Sequence, residues 1–361
     1  MEAIELLREY KKQVDKKLDI YLKKSVEKAK KINPLEVRAI EYIHDFTISG
    51  GKRLRPALMY YGFLGTGAKS CEAIINATLS IEMAHSFLLI HDDIIDRDAK
   101  RHGVPTLHER YKKFGKLFIK DKNELNHFGN SMAMVAGDMA MFMSNEILFK
   151  SDFPAENILL ALCKLQEIVY QTIPGEMLDV VMEFRGKATE NEVLKMHESK
   201  TARYTFEGPL HLGYILAKGK NPSLKKELDQ LSDYALPLGK AFQIRDDILG
   251  VFGEEKKLGK PVGSDIMEGK QTILLIKALQ GANRSQRKEL KNCIGNKSIT
   301  KKQIENFKTI IKETGSLDYS KNLSEKLVIE AKESLRKANI KNEEAFRFMD
   351  GIADYIVERQ Q

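Results

Sequence analysis

Residues 92–96 read Asp-Asp-Ile-Ile-Asp, at the end of an apolar run that starts near Ile81 and meets no Gly or Pro before Gly103. Apolar residues at this density without breakers predict a helix. Asp has poor helix propensity and is rarely buried unpaired, so three carboxylates here restrict what the chain can fold into. At about 3.6 residues per turn, Asp92 and Asp96 stack on one face, and His85 falls on the same face. A solvated face is the ordinary reading of such a cluster, but Ile94 and Ile95 stand between Asp93 and Asp96. Carboxylates this close repel one another unless a cation holds them, and oxygen-only ligands suit Mg²⁺. A second acidic pair, Asp246 and Asp247, lies in similar apolar sequence at residues 241–250, AFQIRDDILG. Two such helices facing each other would hold several Mg²⁺ ions between them. Because Mg²⁺ binds a few carboxylates together with substrate phosphates, a diphosphate is the natural guest.

The rest of the chain sets the frame. Its 361 residues are 42% hydrophobic, with 24 Gly and nine Pro spread thinly, and no Gly/Ser- or Pro-rich linker divides it. Strand signals are scarce, so a single all-α domain over residues 1–361 is expected. No 18-residue apolar span is expected, and the opening MEAIELLREYKK carries acidic residues and no apolar leader core. Cys71, Cys163 and Cys293 show no ligand spacing and read as reduced thiols of a cytoplasmic protein. The net charge of +8 comes from Lys scattered among Glu rather than clustered with aromatics, which argues against a nucleic-acid partner.

Residues 1–33 read as an amphipathic helix with Leu6, Leu7, Val14, Leu18, Ile20 and Leu22 on its apolar side, ended by Pro34. Gly50 and Gly51 form a turn followed by Lys52, Arg53 and Arg55, a candidate second anion site, since Gly permits close approach and Arg forks match phosphate oxygens. Residues 112–127 read as an exposed, polar insertion. Pro174-Gly175 suggests a kink and Asp179 a further inward carboxylate. Lys200 and Thr201 interrupt an otherwise helical run, a pattern that fits a buried functional Lys and a surface Lys equally. Residues 253–271 form a Gly- and Lys-rich loop suited to closing over a phosphate. Residues 280–361 read as peripheral charged helices with no visible chemistry.

GGKRLRP at 50–56, EMAHSFLLIHDDIID at 82–96, KTA at 200–202, FQIRDDIL at 242–249 and LGKPVGSDIMEGKQT at 258–272 resemble the trans-isoprenyl diphosphate synthase (polyprenyl synthetase) family. The match spans residues 40–275 in the family's motif order. The resemblance implies about ten core helices around a deep central cavity, a homodimer, and head-to-tail condensation of isopentenyl diphosphate with an allylic diphosphate (dimethylallyl, geranyl or farnesyl). It implies three Mg²⁺ coordinated by Asp92, Asp96 and Asp246, with Asp93 and Asp247 of the same clusters included among the metal residues. It places Arg101, Lys200, Lys260 and Lys270 on diphosphate, Lys52, Arg55, His85 and His102 on isopentenyl diphosphate, and the oxygens of Thr201 and Gln243 around the allylic cation. A terpene cyclase or head-to-head synthase shares the acidic helix but needs no isopentenyl site, and GGKRLRP with His85 argues against it. A non-catalytic partner subunit would have one acidic cluster degraded. Four positions depart from the family pattern: His102 replaces a second Arg, Gly250 a third Asp, Glu176 a Gln, and residues 112–127 have no clear counterpart.

Product length is expected to turn on Phe87 and Leu88. Leu88 lies one turn below Asp92 and Phe87 about 7.5 Å below it. Helical phase favours Leu88 as neighbour of a growing tail, whereas the resemblance, to archaeal-type geranylgeranyl diphosphate synthases, favours Phe87 and a C20 product, with a farnesyl or longer-chain diphosphate synthase as the alternative. Asp92→Ala and Asp246→Ala should each lower turnover by several orders of magnitude with the fold intact, measured by steady-state kinetics beside circular dichroism. Retention of a tenth of the activity would contradict the carboxylate assignment.

Overall fold

The structure, a computed structural model, describes residues 2–253 and 263–358. Helix α1 (Glu2–Ala29) buries Leu7, Tyr10, Val14, Leu18 and Leu22, a three- and four-residue spacing that forms one stripe, while Ile20 is 43% exposed and falls off it. Asn33 caps α2 (Pro34–Ile48) by accepting from the Leu35 amide, with Pro34 pre-set for the first turn. Then follow α3 (Leu54–Gly65), α4 (Glu72–Ala77) and α5 (Leu79–Ile95), the acidic helix. A two-residue hairpin, β1 (Lys100–Arg101) against β2 (Val104–Pro105), follows it. His102 (φ 51°) and Gly103 (φ 80°) both take left-handed backbone between its strands, the mirror-image turn that suits the strand twist.

Helices α6 (Leu107–Gly115), α7 (Lys122–Phe149) and α8 (Ala155–Arg185) come next. Residues 112–127 close α6 and open α7. They are exposed over much of their length, yet Phe114, Phe118 and Phe128 cluster across the joint and Asp121 caps α7. The run continues through α9 (Glu190–Met196), a π-helical segment (His197–Glu207) and α10 (Gly208–Lys218) to α11 (Leu224–Phe252), which carries the second acidic pair. After residue 262 come α12 (Ser264–Glu268), α13 (Ile273–Gly281), α14 (Arg284–Cys293), α15 (Lys301–Glu313), α16 (Ser316–Lys337) and α17 (Glu343–Glu358).

Two apolar cores hold the bundle. The larger gathers α1, α3, α5, α7, α10 and α17, and the smaller joins Ile244 and Ile248 of α11 to α13, α14 and α15. The expectation that residues 280–361 are peripheral is therefore corrected. Phe348, Met349 and Ile352 of α17 are fully buried, and Tyr61 stacks on Phe348 with ring centroids 3.9 Å apart. Amphipathicity reads α17 as surface because its charged residues face out, whereas its inner stripe completes the core. The expected lack of an 18-residue apolar span also fails: Glu72–Ile95 has a window of mean hydropathy 1.5. Inside the bundle 67% of that window is buried, so its apolarity is spent on neighbouring helices.

His211 of α10 is buried, with Nε2 at 2.9 Å from the Leu228 carbonyl. Burial, helped by Lys164, lowers its pKa from 6.5 to about 3. A depressed folded pKa means the unfolded chain takes the proton first as pH falls, so stability present above pH 6.5 is lost below it. His211→Gln should flatten the pH dependence of thermal unfolding between about pH 6.5 and 4.5, by about 2–3 kcal/mol at the lower end. An unchanged slope would show that His211 titrates normally.

Candidate active site

A cavity of about 980 Å³ opens between α5, α8, the π-helical segment and α11. Asp92, Asp96, Asp246 and Asp247 line it, together with Lys52, Arg55, His85, Arg101, His102, Lys200, Thr201, Gln243 and Lys270. Asp93 does not. Its side chain is 1% exposed behind the lining, and Arg101 donates from Nε to Asp93 Oδ1 at 2.6 Å and from Nη2 to Asp92 Oδ2 at 2.9 Å. Burial pushes Asp93 up to about 7 even against Arg101, leaving Oδ2 buried with no hydrogen-bond partner. Lys260 lies outside the described residues, as do residues 254–262 of the expected 253–271 loop, and Ser264–Glu268 of that stretch form α12 rather than loop.

Cations hold the carboxylates in place. Lys200 reaches Asp179 at 2.8 Å, Glu176 at 2.9 Å and Asp92 at 3.6 Å. Burial works against its charge, but Asp92, Asp179 and Glu176 outweigh it and hold its pKa above the ordinary lysine value. Asp179 stays below the ordinary carboxylate range because Lys200 and Lys270 overcome its burial, whereas burial raises Glu176. Lys270 donates to Asp96 Oδ2 at 2.8 Å and ties the second half of the chain to α5.

Lys200 is aimed by backbone packing. A Cβ at Gly175 of α8 would lie 2.4 Å from the Lys200 amide nitrogen, and a Cβ at Gly239 of α11 would lie 2.3 Å from the Ala202 Cα. The widened π segment is thus gripped on both sides by glycines, which lets backbone approach backbone. The sequence interruption at Lys200 and Thr201 is this widening. On α11, Gly250 occupies the place of the family's third Asp, and a Cβ there would lie 2.3 Å from Asp265 Oδ2. The Asp265 carboxylate fills the space an Asp at 250 would need.

At the cationic end, Arg55 donates from Nη1 to His85 Nε2 at 3.1 Å and from Nη2 to Thr205 Oγ1 at 2.7 Å, and stacks on Tyr204 at 4.4 Å. Burial and then Arg55 lower the His85 pKa well below 6.5, so the ring is neutral. With Nε2 accepting from Arg55, the network assigns the ring proton to Nδ1, which faces the Tyr204 hydroxyl. Arg53, although it too borders the cavity, commits its guanidinium to protein partners. Its side chain is 2% exposed and it binds Glu82, Asp15 Oδ1 (2.7 Å) and the Thr47 carbonyl (2.6 Å), with its backbone left-handed at φ 57°. Sequence alone could not sort Arg53 from Lys52 and Arg55, and it gave no signal for Tyr204. His102 packs its ring over Gly50, where a Cβ would lie 2.5 Å away. Phe87 and Leu88 both line the cavity, and the Phe87 ring meets His91 edge-on at 4.8 Å.

The donor set around the acidic end is carboxylate oxygen alone, which fits a hard divalent cation. Among the described residues no three His, Cys, Asp or Glu groups already converge on one point; Arg101, Lys200 and Lys270 hold these carboxylates instead.

An all-α bundle closed around one cavity, with carboxylates on facing helices and cations at both ends, defines a class, and the family comparison agrees. The chain belongs to the polyprenyl synthetase family, whose model matches residues 37–313. It is 36% identical over 326 residues to a geranylgeranyl diphosphate synthase of Saccharolobus solfataricus, covering 88% of this chain and 89% of the relative. It is 33% identical over 312 residues to a geranylfarnesyl diphosphate synthase of Aeropyrum pernix, covering 86% and 91%. A geranylgeranyl pyrophosphate synthase from Corynebacterium glutamicum, solved with isoprenyl diphosphate and magnesium, superposes with a TM-score of 0.89 at 30% identity, over 98% of this chain and 99% of that one.

Gly175→Ala should push the Lys200 backbone away and lower kcat by about a hundredfold, the scale of a 1 Å misplacement, with KM little changed. Wild-type kcat would show that the contact relaxes without moving Lys200.

Proposed function

We propose that this chain is a short-chain trans-prenyl diphosphate synthase, which joins isopentenyl diphosphate head to tail to allylic diphosphates and stops at C20. The observation that carries the reading is a single cavity with two anion-binding ends and an apolar wall. Asp92, Asp96 and Asp246, beside Lys200 and Lys270, mark one end, while Lys52, Arg55, His85 and His102 mark the other. Phe87, Leu88 and Ile173 supply the wall.

In this reading Asp92, Asp96 and Asp246 would hold three Mg²⁺, with Asp265 adding a carboxylate ahead of Gly250. Bound there, the metal would supply the positive charge that makes diphosphate a competent leaving group. Lys200, Lys270 and Arg101 exchange their carboxylate partners for diphosphate oxygens. Lys52, Arg55 and His102 orient isopentenyl diphosphate, with neutral His85 fixed by Arg55 and Tyr204. The allylic carbon–oxygen bond breaks and its electron pair leaves with diphosphate. The isopentenyl double bond attacks the resulting cation, a carbon–carbon bond forms, and the proton lost from the neighbouring carbon passes to the departing diphosphate. Thr201 and Gln243 present oxygens beside the cation, and the apolar wall keeps water out.

The partner is a second copy of the chain. Met134, Val135 and Phe142 of α7 and Tyr170, Met177 and Phe184 of α8 are exposed apolar side chains on neighbouring helices, a face suited to a homodimer. Unpaired Cys71, Cys163 and Cys293 support a reducing, cytoplasmic setting.

Incubation with Mg²⁺, isopentenyl diphosphate and each allylic primer, followed by sizing of the products, tests the reading. C20 diphosphate is expected, with longer chains from Phe87→Ser and shortening toward C15 from Leu88→Phe. A wild-type protein that makes no condensation product overturns the function, and a Phe87→Ser product of unchanged length moves the floor elsewhere.

A further inference from the structure

His197 opens the π-helical segment and is completely buried, yet neither ring nitrogen has a hydrogen-bond partner. It is flanked by Met196 and Val193, which share an apolar core with Ile244 and Ile248 of α11. Burying an imidazole unsatisfied among apolar groups is costly, so a function is needed to explain it. Its Nε2 stands 3.3 Å from Asp247 Oδ2, a carboxylate oxygen that is likewise buried without a hydrogen bond. Asp247 borders the cavity, and from it a chain of contacts runs along the cavity wall to Thr201. Gln243 donates from Nε2 to Asp247 Oδ1 at 3.0 Å, and Thr201 donates from Oγ1 to Gln243 Oε1 at 2.7 Å.

The four residues form a ladder between two helices. His197 and Thr201 are four apart on the π segment, and Gln243 and Asp247 are four apart on α11. Two rungs are hydrogen bonds, and the third is the 3.3 Å approach of His197 Nε2 to Asp247 Oδ2. Gln243 turns its amide nitrogen toward Asp247 and its carbonyl toward Thr201. Thr201 then spends its hydroxyl proton on Gln243 and keeps its lone pairs for the cavity that it lines.

We infer that His197 is a positioning residue that anchors Asp247 and thereby sets which atoms Gln243 and Thr201 present to the allylic cation. Asp247 accordingly serves this ladder rather than the metal. The inference rests on the prenyltransfer reading above. It explains why one carboxylate of the second acidic pair is buried while Asp246 is not, and why a polar ring sits in an apolar core.

The test compares His197→Leu and His197→Phe, which lack a donor, with His197→Gln, whose amide nitrogen reaches about as far as Nε2. Two quantities are read: kcat for condensation, and the fraction of allylic diphosphate lost to water as allylic alcohol plus diphosphate. The donor-less variants should lose about ten- to a hundredfold in kcat, with KM for both substrates unchanged and the alcohol fraction raised. His197→Gln should restore both quantities. Should neither donor-less variant fold, Asp247→Asn should give the same partition toward alcohol with the Mg²⁺ concentration for half-activation unchanged.

Wild-type kcat and partition in the donor-less variants would overturn the inference, as would equal loss in His197→Gln. A raised Mg²⁺ midpoint in Asp247→Asn would make that carboxylate a metal ligand and overturn it too. A wild-type protein that forms no product is a failure of the prenyltransfer reading instead, so the two failures are distinct.

Discussion

The structure depends on a buried exchange of charge between two halves of the chain. Lys200 from the π segment is held by Asp92, Glu176 and Asp179, Lys270 by Asp96, and Arg101 by Asp92 and Asp93. Breaking one partner of such a pair leaves an uncompensated buried charge, at about 3–5 kcal/mol. That cost is why carboxylates tolerate an apolar helix and why the surrounding helices converge at the cavity. It also sets the chemistry. In the proposed reading, each cation that compensates a carboxylate here turns to a phosphate oxygen once metal neutralises the acid.

Holding those cations still is a problem of backbone geometry. A long flexible lysine is a poor locator unless its own Cα is fixed. The π segment supplies this by coming into contact with α8 at Gly175 and with α11 at Gly239, closer than any side chain would allow. On the opposite wall, Arg53 plays a comparable part. Its guanidinium pins the 50–55 loop to Asp15, Glu82 and Thr47, so that Lys52 and Arg55 are held at the cavity. The charged ends of the cavity thus rest on backbone contacts at glycines and on a charge already paired within the protein.

Much of this was legible in the sequence. Carboxylates interrupting apolar helices at 92–96 and 246–247 require a shared polar interior, and the cavity brings Asp92, Asp96 and Asp246 together with the predicted Lys52, Arg55, His85, Lys200 and Lys270. What escaped was whatever depends on distant partners. Helical phase says which face a residue occupies but not what lies opposite, so Arg53 could not be told from its neighbours, nor Asp93 from Asp92. Helix α17 read as peripheral because its core stripe finds its partners on α1 and α3, near the other end of the chain. Tyr204, Asp265 and His197 gave no pattern, since their roles come from contacts across the fold.

The central claim is that lysines and an arginine neutralise the acidic cluster until metal and diphosphate arrive together. Isothermal titration of Mg²⁺, without and with a non-reactive allylic diphosphate analogue, tests it most directly. The account predicts weak binding of Mg²⁺ alone and much tighter binding with the analogue, because the analogue draws Lys200, Lys270 and Arg101 off the carboxylates. Equally tight Mg²⁺ binding with and without the analogue would contradict it.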